Sequence, residues 1–192
     1  VKAQNAQDLS LDEVFSLMTH SKPSNMLVIG DTIVDRYVAC DPIGMSNEAP
    51  VVVVKEMEAR DYVGGAAIVA AHVAALGARC TYLSVTGLDN EGSFVADSLH
   101  DYSVETVLFT DHSRPTTLKI RYMVESQKLF RVSRLKEHSM SSDLEDRLIA
   151  EIINRAPLLD GILVSDFVYG VITPRIIKTL LEVKGDYGVP LY

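Results

Sequence analysis

Tryptophan and cysteine are the residues that this chain uses least. Tryptophan is absent from the 192 residues, and the cysteines are Cys40 and Cys80 alone. The two cysteines lie far apart, form no Cys-x-x-Cys pair and have no histidine-rich tract beside them. The sequence therefore predicts neither a disulfide framework nor a zinc site.

Positive charge and long apolar runs are also scarce. The formal net charge is −8 at pH 7, whereas broad binding to nucleic acid or to an anionic membrane requires a basic surface. The longest apolar run, residues 66–78, is interrupted by His72 and is too short to cross a bilayer. The opening VKAQNAQDLS lacks the basic and then apolar order of a secretory signal. We therefore expect a cytoplasmic protein that binds neither nucleic acid nor membranes.

Strand-like and helix-like segments alternate along much of the chain. Short β-branched runs, typical of buried strands, occur in MLVIGD, CTYLSVTG and GILVSDF. An opening helix from Leu9 to His20 is indicated by a Ser10–Glu13 capping pair. Further helical patterns are AAIVAAHVAALG, EGSFVADSLHDY, SDLEDRLIAEIINRA and TPRIIKTLLEVKGDYG, the last capped by Thr173. This alternation predicts an α/β fold with a mainly parallel sheet flanked by helices.

Two strand-like segments, APVVVVKEMEARDYV and RPTTLKIRYMVESQKLFRVSR, interrupt the alternation. In the second, Lys119 and Arg121 share one face of a strand, while the apolar residues beside and between them share the other. We predict that the two segments form a small accessory β-sheet standing off the α/β core, with ESQK as a hairpin turn.

The final residues, DYGVPLY, resemble a helix exit followed by the start of another strand. No linker, repeat or low-complexity tract divides the chain. Because a doubly wound sheet normally needs more strands, we expect residues 1–192 to be the N-terminal portion of a larger domain.

Two acidic residues follow the first predicted strand, in GDTIVDRY. Asp31 and Asp35 lie at a carboxyl end, where open α/β sheets bind their ligands. A carboxylate there accepts hydrogen bonds from sugar hydroxyls. The alternative is that Asp31 caps a turn and Asp35 is merely exposed.

A glycine pair, Gly64 and Gly65, immediately precedes the alanine-rich helical segment. Glycine permits a positive φ and close approach of a ligand to the backbone at a helix N-terminus. The pair is equally consistent with a tight turn that packs a helix against its sheet. It lacks the Gly-x-Gly-x-x-Gly order of a dinucleotide site.

Several motifs together carry a resemblance to a known family. GGAAIVAAHVAALGARCTYLSVTG resembles the first signature of the ribokinase-like (PfkB) carbohydrate kinases, with in-register matches at Gly64, Gly65, Ala66, Ala70, Gly77 and Gly87. VIGDTIVDRY, SNEAPVVVV, TGLDNEG, RPTTLKIRYMVESQKLFR and VSDFVYG are more similar to the heptose-phosphate kinase domain, which also occurs in bifunctional kinase/adenylyltransferases. The similarity extends from about Ser10 to the end of the chain.

The resemblance implies an ATP- and Mg²⁺-dependent kinase that phosphorylates a hydroxyl of a sugar or sugar phosphate, as in the synthesis of lipopolysaccharide precursors. It implies a ribokinase-like α/β domain with a β-sheet lid, whose strands fall within 37–62 and 114–134 and often form a homodimer contact. By position, Asp35, Gly64 and Gly65 would bind the sugar. Lys119 and Arg121 would face a substrate phosphate or, alternatively, form a solvated hairpin face. Asp166 would face the nucleotide phosphates or magnesium, or cap a helix.

The chain also departs from the family pattern. Ile68 replaces an asparagine, Gly44 an arginine and Tyr169 a lysine, so polar contacts to a heptose phosphate are missing. The Gly-Ala-Gly-Asp turn that supplies the catalytic aspartate and the anion hole is absent from the 192 residues. A catalytically degenerate sugar- or nucleotide-binding homodimer, or a nucleoside kinase, therefore stays open as an alternative.

Overall fold

The computed structural model describes residues 10–11 and 22–192, so the predicted opening helix lies outside the described residues except for Ser10 and Leu11. The strands are β1 (Asn25–Gly30), β2 (Thr32–Met45), β3 (Val52–Gly65), β4 (Arg79–Thr86), β5 (Glu105–Thr110), β6 (Thr117–Val124), β7 (Gln127–Arg134) and β8 (Gly161–Ser165). The helices are α1 (Ala66–Ala75), α2 (Asn90–Asp101), α3 (Ser142–Arg155) and α4 (Pro174–Tyr187), with a 3₁₀ turn at Ala156–Leu158.

The first sheet, the core sheet, is parallel with strand order β5-β4-β1-β8. Its central strand β1 is the apolar run predicted from the sequence, and Leu27, Val28 and Ile29 are fully buried. Strand β5 was not predicted, although VETVLFT is rich in β-branched residues. The predicted α/β fold with a mainly parallel sheet is confirmed.

Helices cover both faces of the core sheet. Val28 points into a cluster with α1 and α2, whereas Leu27 and Ile29 point into a cluster with α3 and α4. This division follows from the alternation of side chains along a strand that is buried on both faces. Within the described residues, no helix is both long and apolar enough to span a bilayer.

Side-chain caps fix where three of the helices begin. Asp89 accepts a hydrogen bond from the Gly92 amide at the start of α2, and Ser141 accepts one from the third residue of α3. Thr173 accepts one from the Ile176 amide at the start of α4, directly before Pro174, as the sequence predicts.

The second sheet has strand order β3-β2-β6-β7. Strands β2 and β3 pair antiparallel, β2 and β6 parallel, and β6 and β7 antiparallel through a turn at residues 125–126, where Glu125 has a φ of 52°. The sheet stands off the core only in part. The face that carries Val34 and Leu118, called the lower face below, packs against the hydrophobic cluster that contains α1, whereas all of β7 is exposed.

The chain end continues the core sheet beyond β8. Ile162 and Leu191 form a parallel bridge, the Tyr192 amide donates to the Ile162 carbonyl at 3.0 Å, and the Val164 amide donates to the Tyr192 carbonyl at 2.9 Å. The predicted extended segment at the end of the chain is therefore paired with the sheet.

Candidate functional site

The strand order of the core sheet places a crevice at the carboxyl end of β1. Because β4 and β5 lie on one side of β1 and β8 on the other, the connections diverge between β1 and β8. Open α/β sheets bind ligands at such a switch point. The loop after β8, residues 166–171, and the first residues of the second sheet lie at this edge.

Asp31 holds the loop after β8 in place. Its buried carboxylate, with 1% exposure, accepts hydrogen bonds from the amides of Phe167 at 2.8 Å and of Tyr169 and Val171 at 3.2 Å. Burial raises the pKa of this carboxyl, and the hydrogen bonds from the amides only partly offset the rise. The structure thus supports the turn-capping alternative for Asp31, which makes it a scaffold for the loop.

The glycine pair joins the second sheet to α1. Gly65 has φ 58° and ψ −136°, and a Cβ there would lie 2.5 Å from the Asp31 carbonyl oxygen. Only glycine fits this backbone. The Asp31 carbonyl also accepts the Ala66 amide at 3.0 Å, so the first amide of α1 is already bonded.

Gly64 makes room for the Asp35 carboxylate. A Cβ on Gly64 would lie 2.5 Å from Asp35 Oδ2, because Gly64 is diagonal to Asp35 across β2 and β3: Ile33 is opposite Gly64, and Tyr62 is opposite Asp35. The structure therefore brings together two residues that the sequence placed in one site. Their side of the second sheet, with Lys119, Arg121 and Tyr37, is called the upper face below.

The basic pair on β6 lies on the same upper face. Asp35 is opposite Lys119 and Tyr37 is opposite Arg121 in the parallel pairing of β2 and β6. The Arg121 guanidinium forms an ion pair with Asp35 Oδ1 and lies 5.2 Å from the centre of the Tyr37 ring. Lys119 and Arg121 therefore share one face, and Arg121 is paired with Asp35, the residue that the resemblance implies as a sugar ligand.

Lys119 points toward the loop after β8 and contacts two aromatic rings there. Its Nζ lies 5.3 Å from the Phe167 ring centre and 5.2 Å from that of Tyr169, distances typical of cation–π contacts. Sequence reasoning treated Tyr169 only as a missing lysine. The alternation of aromatic residues in DFVY was the available signal for a two-ring contact.

Asp166 is exposed at the carboxyl end of β8, and its Oδ1 accepts the Val168 amide at 2.7 Å. It caps no helix, so that alternative is wrong: the cap of α4 is Thr173. Among the described residues, no group of three or more His, Cys, Asp or Glu side chains is arranged to hold a metal ion.

Arg114, which sequence reasoning overlooked, ties together three loops at this edge. Its guanidinium donates to Asp111 Oδ2 at 2.7 Å, to the Tyr169 carbonyl at 2.7 Å and to the His138 carbonyl at 2.6 Å. Burial by itself would raise the pKa of Asp111, but hydrogen bonds from Ser113 and Arg114 bring it below its usual value. Arg114 therefore fixes the connections from β5 to β6 and from β7 to α3 against the loop after β8.

The other two departures from the family pattern are Ile68 and Gly44. Ile68 is half-buried and lines a hollow of about 260 Å³ with Val63 and Phe94. A Cβ on Gly44 would meet no atom within 4 Å, so this position is open. Neither residue supplies a polar group to the upper face.

Comparisons with known proteins agree on one family. The protein-family model described as pfkB family carbohydrate kinase matches residues 23–158. Bifunctional protein HldE of Bradyrhizobium diazoefficiens is 35% identical over 169 residues, covering 86% of this chain and 34% of the relative. Bifunctional protein HldE of Koribacter versatilis is 31% identical over 167 residues, with 87% and 34% coverage. The chain thus spans about a third of the length of these relatives.

Solved structures share the fold. Phosphofructokinase-2 from Escherichia coli in complex with fructose-6-phosphate superposes with a TM-score of 0.65 at 14% identity, covering 89% of this chain and 54% of that one. Arabidopsis thaliana ribokinase complexed with ribose and ATP gives a TM-score of 0.61 at 17% identity, with 88% and 53% coverage. The fold is therefore ribokinase-like, and together with the family match over residues 23–158 this shows that the chain belongs to the pfkB family of carbohydrate kinases.

Proposed function

We propose that this chain carries the acceptor side of an ATP-dependent kinase that transfers the γ-phosphoryl group to a hydroxyl of a sugar or sugar phosphate, in the manner of a heptose-phosphate kinase. The observation that carries the proposal is the convergence of Asp35, Gly64, Lys119 and Arg121 on one face beside the switch point of the core sheet. Family membership supports the same reaction class.

Each residue has a role that its chemistry allows. The Asp35 carboxylate accepts hydrogen bonds from acceptor hydroxyls and orients them. Gly64 and Gly65 allow the acceptor to approach the backbone. Lys119 and Arg121 donate charge-assisted hydrogen bonds to a phosphate on the acceptor.

The nucleotide side is represented in this chain by Asp166. Magnesium is usually held by one or two carboxylates together with substrate phosphates and waters. Asp166 fits this role because it is exposed at the carboxyl edge and one of its oxygens is not used by the Val168 turn. Bound MgATP would supply the phosphoryl group and neutralise its charge. The 192 residues contain no Gly-x-Gly-Asp motif, so we assign no residue of this chain to accept the hydroxyl proton.

We propose that the second sheet acts as the lid. Its upper face carries the acceptor residues, and closing it would exclude water from the reaction. Its lower face exposes Phe130 and Val132, at 52% and 40% exposure, which supports a homodimer contact through this sheet. We place the protein in the cytoplasm.

ADP production by the full-length protein across sugars, sugar phosphates and nucleosides tests the proposal. We expect turnover with a sugar or sugar phosphate, and a loss of about 100-fold in kcat/KM for Asp35→Asn, since the hydroxyl is no longer oriented. Asp61→Asn is the matched control, because Asp61 pairs with Arg36 on the lower face. Absence of acceptor-dependent ADP with every compound would exclude catalysis.

A non-catalytic sugar- or nucleotide-binding homodimer is the second candidate. The observation that favours it is that Ile68 and Gly44 supply no polar group where the family pattern has asparagine and arginine. Acceptor binding without ADP release would select this candidate. ADP release with nucleosides but not with sugars would instead indicate a nucleoside kinase.

A further inference from the structure

One oxygen of the Asp35 carboxylate is already paired. Oδ1 binds the Arg121 guanidinium, and Oδ2 is close to Gly64, where an added Cβ would lie 2.5 Å from it. The two side chains are 23% and 18% exposed, so the pair is shielded from water on most of its surface. A hydroxyl that is to bind Asp35 Oδ1 must therefore compete with a charged, partly buried partner.

Lys119 is in the opposite situation. Its ammonium is held between the Phe167 and Tyr169 rings, and among the described residues no carboxylate pairs with it. Ring faces position a cation but do not neutralise its charge. The loop that supplies the rings is itself fixed by Asp31. Lys119 is thus a fixed cation that forms no ion pair within the described part of the chain, in the strand position directly opposite Asp35.

Arg121 lies near both Asp35 and Lys119. It sits two residues beyond Lys119 on the same face of β6, and the flexible arginine side chain can reach either Asp35 or an anion bound at Lys119. A phosphate at Lys119 offers Arg121 a bidentate partner of higher charge than a carboxylate. Once Arg121 moves to that phosphate, Asp35 is released.

We propose that the Asp35–Arg121 ion pair selects the acceptor: an anionic group bound at Lys119 draws Arg121 away from Asp35 and so frees the carboxylate for the acceptor hydroxyls. This deepens the function proposed above and rests on it. A neutral sugar gives Arg121 no new partner and must break the ion pair unaided. The site therefore takes phosphorylated polyols in preference to neutral ones.

Titration with inorganic phosphate tests the exchange in the full-length protein without ATP. Since the ion pair holds back the anion-binding state, Asp35→Asn should tighten phosphate binding about tenfold. Arg121→Gln should weaken it about tenfold, because one charged donor is lost. Asp61→Asn, which opens the Arg36 pair on the other face, should leave the phosphate affinity unchanged. A gain of affinity in Asp35→Asn cannot arise from partial unfolding.

The arginine side-chain signals in a ¹⁵N–¹H spectrum give a second readout. Phosphate should shift the Nε–Hε signal of Arg121 and leave that of Arg36 in place. The proposal is overturned if Asp35→Asn binds phosphate no more tightly than the parent, if no variant binds phosphate, or if the Arg121 signal does not move at saturation. Failure of ADP production with intact phosphate responses would instead count against the kinase reaction alone.

Discussion

The two sheets of this molecule differ in how deeply their apolar side chains are buried. The core sheet is covered on both faces by helices, and Leu27, Leu83 and Ile162 are at most 1% exposed. The second sheet leaves large apolar side chains open, with Ile43 at 66% and Phe130 at 52% exposure. Stability is therefore concentrated in the first sheet, and surface available to ligands or partners in the second.

The candidate site lies where the two sheets meet. Loops at the carboxyl ends of the core strands are positioned by buried groups such as Asp31 and Arg114. The upper face of the second sheet supplies Asp35, Lys119 and Arg121. Under the function proposed above, the second sheet would close over a substrate at this edge.

Removal of the Arg114 side chain, which joins the loops between the two sheets, should have the largest effect on stability. Arg114 and Asp111 have side chains only 7% and 6% exposed, and removal of one partner leaves a buried charge. We expect Arg114→Ala to lower the free energy of unfolding by about 4 kcal/mol. Urea denaturation measures the loss. Arg60→Ala, which breaks an exposed ion pair with Glu58, should leave the midpoint unchanged. Equal effects of the two variants would show that Arg114 is not a structural joint.

Truncation of apolar side chains compares the sheets directly. Leu27 is fully buried in the core sheet, whereas Val132 in the second is 40% exposed. Leu27→Ala should cost about 3 kcal/mol of unfolding free energy through the cavity it leaves, and Val132→Ala less than about 1 kcal/mol. Both values come from the same urea series. If Val132→Ala costs as much as Leu27→Ala, the lower face of the second sheet is covered in solution, as a homodimer would require.

The glycine turn between the sheets should show a smaller loss. Alanine at Gly65 must adopt a φ of 58° and place its Cβ close to the Asp31 carbonyl. We expect Gly65→Ala to cost about 2 kcal/mol. Gly185→Ala is the control, because a Cβ there meets nothing within 4 Å inside α4, and it should stabilise by about 0.5 kcal/mol. A neutral Gly65→Ala would show that the turn relaxes readily.

The parts of the fold that could be predicted were those with a local signal. Apolar β-branched runs identified β1, β4 and β8, and Thr173 with Pro174 marked the start of α4. Strand β5 was not predicted because its partly exposed sequence shows no clear alternation between polar and apolar residues. Element type thus followed from residues near in sequence.

The candidate site could be predicted only in part, because its geometry depends on pairing between distant strands. Asp35 and the glycine pair were predicted as site residues, but the ion pair of Asp35 with Arg121 joins residues 86 apart. The two rings around Lys119 depend on how Asp31 folds the loop after β8. The Arg114 contacts likewise join loops that no sequence spacing relates.

The smallest predicted effect is a pH dependence of the free energy of unfolding that arises from Asp31. Burial raises the pKa of Asp31 above its ordinary value of 3.8, so the folded protein favours its protonated form. The corresponding stability is fully present below pH 3.8 and is lost as pH rises through the raised pKa. Asp31→Asn removes this titration, so the stability of the parent relative to the variant should fall as pH rises. Urea midpoints from acidic to neutral pH measure the difference. A difference that stays constant or grows with pH would show that hydrogen bonds from the loop amides outweigh burial at Asp31.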